Sequence, residues 1–96
     1  MADVTDVPSE HRFVIEVDGA RAGFVDYVVR DDTVVARHTE IDPAYAGQGL
    51  GSVLVKAVLD DIRDAGKKIR PVCPFVASYL SKHSEYDDLV APAADS

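Results

Sequence analysis

The stretch that decides the fold is a glycine-rich segment between a β-branched run and an amphipathic run, Pro43-Ala44-Tyr45-Ala46-Gly47-Gln48-Gly49-Leu50-Gly51-Ser52. Glycine has no Cβ, so glycines at alternate positions let neighbouring backbone N–H groups point toward one anion. The helix predicted to follow adds free N–H groups and the positive end of its dipole. The segment therefore predicts a strand-to-helix turn that can bind a phosphate.

The run after this loop has a strong helical periodicity. Apolar residues recur at helical spacing along one face, namely Leu50, Val53, Leu54, Ala57, Val58, Ile62 and Ala65. Gly66 follows where a helix C-cap belongs. Residues 67–73 then predict a short strand that ends at Cys73, and residues 75–83 predict a second helix.

Upstream of the loop the sequence predicts an antiparallel meander of three strands. Residues 12–17 and 20–30 flank Asp18-Gly19, a residue pair favoured in tight hairpin turns. Residues 33–41 are rich in β-branched side chains and predict the third strand. The order of three strands, helix, strand and helix predicts a mixed α/β (α+β) fold. We expect one domain over residues 11–90, with flexible tails at 1–10 and 91–96.

Composition limits what the protein can be. A chain of 96 residues supports one domain, and a formal net charge of -7 argues against nucleic acid as a partner. One cysteine and three histidines exclude an internal disulfide and give little material for a metal site, so we expect no metal. The sequence shows neither a bilayer-spanning run nor a signal peptide. We therefore expect a cytoplasmic protein without a membrane partner.

The glycine segment has three phosphate-binding interpretations and one structural alternative. A Rossmann fingerprint needs G-x-G-x-x-G in an alternating βαβ chain, whereas Gly47, Gly49 and Gly51 follow an antiparallel meander. A Walker loop needs Gly-Lys-Ser or Gly-Lys-Thr, which the sequence lacks. A pyrophosphate site for coenzyme A fits the pattern. A flexible connection whose glycines permit close packing stays open as the alternative.

Residues 38–82 resemble the acetyl-coenzyme A-binding half of the GNAT superfamily of N-acetyltransferases. The superfamily loop reads Arg or Gln, two variable residues, Gly, one variable residue, then Gly or Ala. Here Ala46 stands at the first position, and Gly49 and Gly51 stand at the two glycine positions. The flanking segments 39–43 and 70–76 are similar to those of its small single-domain members, the YidJ-like group. The resemblance therefore implies a minimal GNAT-like fold.

The resemblance also implies acetyl-CoA as cosubstrate and an unidentified amine as acceptor, which a peptide or protein could carry. It places the pantetheine arm against the backbone of the strand before the loop and the pyrophosphate on the loop itself. The cofactor-binding residues implied in this way are Thr39, Ile41, Gly47, Gln48, Gly49, Leu50, Gly51, Ser52, Cys73 and Tyr79.

Acetyl transfer to an amine needs a base for the amine and stabilisation of the departing thiolate. His38 and Glu40 lie two residues apart on a predicted strand, so they share a face and either could be the base. The resemblance places Cys73 near the coenzyme's sulfur, where its thiol could protonate the leaving thiolate or carry the acetyl group. For all three residues a purely structural position stays open.

Two functional classes remain after this step. The first is a small acetyl-CoA-dependent N-acetyltransferase, and the alternative is a non-catalytic module that binds coenzyme A or a partner protein on the same scaffold. Asp18-Gly19 joins the first two strands directly, whereas typical superfamily members have helices there that wall the acceptor site. We expect an acceptor side that is open or completed by another chain, for example in an oligomer, and an acidic surface that favours a basic acceptor.

Overall fold

A computed structural model of the protein describes residues 2–91. Its strands and helices follow one another as β1 (Ala2–Val7), β2 (Arg12–Val17), β3 (Ala20–Arg30), β4 (Thr33–Ile41), α1 (Leu50–Asp64), β5 (Lys68–Pro71) and α2 (Pro74–Ser81). Short 3-10 turns occupy Pro8–Glu10, Pro43–Tyr45 and Ser84–Leu89. The expected order of three strands, helix, strand and helix is confirmed, with β1 added in front of it.

The strands form one sheet in the order β1-β2-β3-β4-β5. Neighbours are antiparallel except β4 and β5, which are parallel because α1 connects them. Asp18 and Gly19 both have positive φ, 51° and 85°, as a type I′ hairpin turn requires. The meander predicted from that residue pair is therefore present.

The structure corrects the prediction of a flexible tail at residues 1–10, because residues 2–7 form β1. This strand pairs with β2 from Ala2–Val17 to Val7–Arg12, and its Val4 packs against the core. The Tyr27 hydroxyl also donates a hydrogen bond to the Asp6 carboxylate. Apolar contacts on one face thus order a segment that looks polar in sequence. The expected C-terminal tail lies outside the described residues, apart from Ala91.

Helix α1 packs its apolar face on one side of the sheet. The core contains side chains that are almost fully buried, among them Ile15, Val25, Leu54, Leu59, Ile62 and Ile69. Burying each such side chain contributes roughly 1.5–3 kcal/mol. Gly66 has φ 71°, and the Lys67 N–H donates to the Ile62 carbonyl, which ends the helix as predicted. No helix within residues 2–91 is long and apolar enough to cross a bilayer.

The segment after α1 differs from the prediction in its boundaries. The predicted strand ends at Cys73, whereas β5 ends at Pro71. The N–H groups of Val72 and Cys73 both donate to the Ala36 carbonyl, at 3.0 and 2.9 Å. Because two successive residues bond to the same carbonyl, the regular pairing with β4 ends there. Cys73 instead becomes the N-cap of α2, which begins at Pro74.

At its outer side β5 meets the end of the described chain. Ile69 forms a parallel bridge with Val90, and its carbonyl accepts the Ala91 N–H at 2.8 Å. Residues 90 and 91 therefore cover the outer edge of β5 at Ile69. The opposite edge of the sheet is β1.

Candidate functional site

Among the described residues, no side chain caps the beginning of α1, which follows the glycine loop directly. Gly47 and Gly49 have φ 83° and 72°, and a Cβ at either position would meet nothing within 4 Å. The first N–H of α1 to find a protein acceptor is that of Val53, which donates to the Gly49 carbonyl at 3.3 Å. Within residues 2–91, the N–H groups of residues 50–52 have no protein acceptor. Three backbone donors and the positive end of the helix dipole are thus available to an anion.

A cavity of about 250 Å³ lies in front of these donors. It is lined by Ile41, Tyr45, Ala46, Gly47, Gly49, Leu50, Gly51, Ser52 and Phe75. The structure therefore gathers six of the predicted cofactor residues around one space, whereas Gln48 is exposed and does not line it. A Cβ on Gly51 would lie 2.5 Å from the Phe75 ring, so glycine is what lets the ring approach the helix.

Strands β4 and β5 part beside this cavity. Their last paired residues are Ala36 and Pro71, but β4 continues to Ile41 while the chain after β5 turns into α2. Within residues 2–91, the backbone of residues 37–41 has no strand partner on the β5 side. An extended ligand in this gap can form hydrogen bonds with the main chain of β4, in the way that a neighbouring strand would.

Cys73 lies at the point where the strands separate. Its side chain is buried, with 3% exposure, and Sγ lies 3.2 Å from Thr39 Oγ1. Burial acts to raise the pKa of this thiol, but its hydrogen bonds with the Thr39 hydroxyl and with backbone groups of Val76 and Phe75 outweigh burial and lower the pKa. The thiol therefore loses its proton more easily than an ordinary cysteine does.

His38 and Glu40 share a face of β4, as their spacing predicts, and it is the face opposite α1. His38 Nε2 and Glu40 Oε1 are 3.5 Å apart, and both side chains are more than half exposed. The alternation of side chains directs Thr39 toward Cys73 and its two neighbours to the other side. The strand thus separates the two candidate bases from the thiol.

Tyr79 lies in a neighbouring small cavity of about 100 Å³, which shares Ser52 and Phe75 with the larger one. Its ring stacks on His83 at 3.8 Å between centroids and 9° between planes. Burial raises the pKa of the Tyr79 hydroxyl. Tyr79 is therefore fixed between the helices and the adjoining turn, and its assignment to the cofactor stays a prediction.

The sequence did not single out Phe75, which lines both cavities. One feature of the sequence could have indicated it. Gly51 is the second residue of α1, where a good helix former is usual, and a glycine there suggests that a bulky side chain packs against the helix. The face opposite α1 also carries a cavity that includes Phe24 and Asp42, two residues absent from the sequence-based site. Within residues 2–91, no group of three or more His, Cys, Asp or Glu side chains could hold a metal ion.

The sequence profile of the GCN5-related N-acetyl-transferase family matches residues 12–89. This match covers most of the chain, including the loop, the parted strands and Cys73. The protein belongs to that family. No curated protein matches it significantly.

Solved structures show the same fold. A GCN5-like protein from Staphylococcus aureus is 26% identical over 93% of this chain and 87% of its own, with a TM-score of 0.70. The ribosomal-protein-S18-alanine N-acetyltransferase of Escherichia coli is 26% identical over 62% of this chain and 39% of its own, with a TM-score of 0.58. AAC(6')-Iy, in complex with a bisubstrate analogue containing CoA, shares the fold at 17% identity over 78% of this chain and 58% of its own, with a TM-score of 0.50.

Proposed function

We propose that this protein is a small, YidJ-like N-acetyltransferase that binds acetyl-CoA and transfers its acetyl group to an amine. One arrangement carries the proposal: the uncapped start of α1 and the gap between β4 and β5 adjoin, and Cys73 lies where the strands part. Its family membership and the CoA-containing complex of AAC(6')-Iy, which has the same fold, support it. The proposal includes one domain and a cytoplasmic location, where a reducing environment keeps a lone thiol free.

The coenzyme is proposed to bind mainly through hydrogen bonds from its pyrophosphate and its pantetheine arm to the protein backbone. Its pyrophosphate accepts hydrogen bonds from the N–H groups of Leu50, Gly51 and Ser52, which charge and geometry both favour. Its pantetheine arm lies along the free edge of β4, where residues 37–41 supply peptide groups. Ala46 stands where the superfamily has Arg or Gln, so backbone donors carry the phosphate contact in this chain.

Cys73 is proposed to protonate the departing coenzyme. Attack by the amine on the thioester carbonyl forms the C–N bond and then expels the CoA thiolate. A thiol whose pKa is lowered transfers its proton readily to an ordinary alkyl thiolate, because the donor is then the stronger acid. The Thr39 hydroxyl, 3.2 Å from Sγ, stabilises the cysteine thiolate that results. Water then returns the proton.

His38 and Glu40 are proposed to receive the proton of the amine. Both side chains face the open side of the sheet, so an amine that approaches from there meets them before it reaches the edge of β4. Their 3.5 Å contact lets an imidazolium formed at His38 remain beside a carboxylate. The base and the acid thus act from opposite sides of one strand.

Calorimetry with CoA and acetyl-CoA, followed by an assay of thiol release with a panel of amines, tests this function. We expect binding in both titrations and amine-dependent release, reduced strongly in Cys73→Ala and His38→Ala. Arg30→Ala, exposed at the far end of β3, is a control that should keep wild-type rates. Absence of CoA binding to the native protein would refute the proposal. Mass spectrometry of the protein after acetyl-CoA alone distinguishes a proton-donating Cys73 from one that is acetylated.

A non-catalytic CoA-binding module is the second candidate. One observation favours it: Ala46 stands where the superfamily has Arg or Gln, so the loop lacks that side-chain contact to the phosphate. Such a module binds acetyl-CoA with unchanged affinity in Cys73→Ala and releases no thiol with any amine. The same two assays therefore separate the candidates.

A further inference from the structure

A second concave region lies on the face of the sheet opposite α1. It is a cavity of about 320 Å³ between β2, β3 and the end of β4, and its lining includes Val14, Ala22, Phe24, Glu40, Asp42 and Pro43. Val14 is 2% exposed although it points away from the core under α1. Apolar side chains thus form much of the cavity, and two carboxylates lie on the β4 side.

Two arginines also line this cavity, and both are already engaged by carboxylates. Arg12 Nε lies 2.9 Å from Asp26 Oδ1, and its guanidinium lies 4.0 Å from the centre of the Phe24 ring. Arg21 donates two hydrogen bonds to Glu10, at 2.8 and 3.2 Å. Their positive charges are therefore balanced by acidic groups.

The carboxylates of Glu40 and Asp42 are placed differently. In the described part of the chain, neither forms an ion pair with a lysine or arginine. Glu40 faces His38 at 3.5 Å, and Asp42 Oδ1 accepts the N–H of Ala44 at 2.9 Å. Each keeps oxygen atoms for a further donor. The lining itself contains two arginines and two carboxylates, and the arginines' partners Asp26 and Glu10, which lie outside the lining, add two negative charges to the region.

The cavity also lies close to the parted strands. Glu40 follows Thr39, whose hydroxyl contacts Cys73 on the other face of β4. Beyond Ala36 this part of β4 has no neighbour on the β5 side within the described residues. A group held by Glu40 is thus one strand away from the thiol, across an open edge.

We propose that this cavity binds the acetyl acceptor, and that the acceptor is a primary ammonium on an apolar alkyl or aryl body without a carboxylate beside the amine. The inference rests on the proposed function, since it identifies the second substrate of the same reaction. Glu40 and Asp42 bind the ammonium, while Val14 and Phe24 contact the apolar body. A carboxylate on the same molecule would face a region of excess negative charge.

Steady-state kinetics with a matched pair of acceptors test this assignment. The pair is 2-phenylethylamine and phenylalanine, which differ by one carboxylate, at saturating acetyl-CoA. We expect a KM about fivefold lower, or more, for the amine than for the amino acid. Asp42→Asn should raise the KM for the amine about two- to fivefold and leave kcat unchanged, since the asparagine oxygen still accepts the Ala44 N–H. Asp31→Asn removes the same charge at the far end of the sheet and should change neither parameter.

The outcomes separate this inference from the proposed function. If acetyl-CoA binds and thiol is released, but the amino acid is the better acceptor or Asp42→Asn leaves the KM unchanged, the acceptor assignment is wrong and the proposed function stands. If the enzyme acetylates other amines but neither 2-phenylethylamine nor phenylalanine, the acceptor assignment is also wrong and the proposed function stands. If the native protein does not bind acetyl-CoA in the calorimeter, the proposed function itself fails.

Discussion

Replacement of Gly49 by alanine tests the anion site at the start of α1 directly. Gly49 has φ 72°, where an L-residue costs roughly 1–2 kcal/mol, and an added Cβ would meet no atom within 4 Å. The cost is therefore conformational rather than steric. A loss of about 1 kcal/mol lowers the Tm of a domain of this size by about 4–8 °C. The variant should still fold, because domains have about 5–15 kcal/mol of stability.

The same helix supplies a matched control at its other end. Gly66 has φ 71°, and an added Cβ there would also meet nothing within 4 Å. Gly66→Ala should thus lower the Tm by a similar amount. The two variants differ in what they do to residues 50–52, whose N–H groups follow Gly49 directly. A shift of φ at Gly49 turns those donors away from a common point.

Calorimetric titration with CoA distinguishes the two variants. A hydrogen bond to a charged group contributes about 1.5–3 kcal/mol, so misplacing one donor should weaken CoA binding about ten- to a hundredfold in Gly49→Ala. Gly66→Ala should bind with wild-type affinity despite its lower Tm. Wild-type affinity in both variants would refute the backbone-donor argument, and an equal loss of affinity in both would show that affinity merely follows stability.

Three other perturbations test separate parts of the structure. Thr39→Val removes a hydroxyl that lowers the pKa of Cys73, so the midpoint of the pH dependence of iodoacetamide alkylation should move to higher pH, while Thr39→Ser should keep it low. Tyr86→Phe removes a 2.6 Å hydrogen bond to Asp60 and should cost about 1 kcal/mol in urea unfolding. That bond lowers the pKa of Asp60 in the folded protein, so it stabilises the fold above the pKa of Asp60 in the unfolded chain, and this stabilisation is lost as the pH falls through the folded-state pKa. If Tyr86→Phe were equally destabilising in acid, this explanation would be wrong. Deletion of residues 1–7 should lower the Tm, whereas a true tail would leave it unchanged.

The meander and the helix were predictable because their signals are local. Asp18-Gly19 specifies its own turn, and the apolar positions of α1 recur with the helical period. Strand β1 lacks both signals. It joins β2 through a 3-10 turn and His11 in the left-handed conformation, and only its pairing with β2 gives Val4 a buried side. Such pairing is a tertiary contact that a local pattern does not contain.

The candidate site was predictable in part for the same reason. The glycine spacing indicated the loop, but the contact of Thr39 with Cys73 joins residues 34 positions apart. A register shift between β3 and β4 at Asp26 determines that Glu40 and Cys73 lie on opposite sides of β4, and no local pattern in the sequence predicts this shift. Sequence reasoning thus found the phosphate-binding segment and could not place the groups around it.

The two edges of the sheet have different consequences for self-association. Backbone groups at a free edge can recruit a strand from a second molecule. Residues 90 and 91 occupy that position beside Ile69, so intermolecular β-pairing is blocked there. The other margin, β1, carries Asp3 and Asp6 in a chain with a net charge of -7. Like charges therefore oppose the pairing of two copies along β1, and added salt, which screens this repulsion, makes that pairing easier.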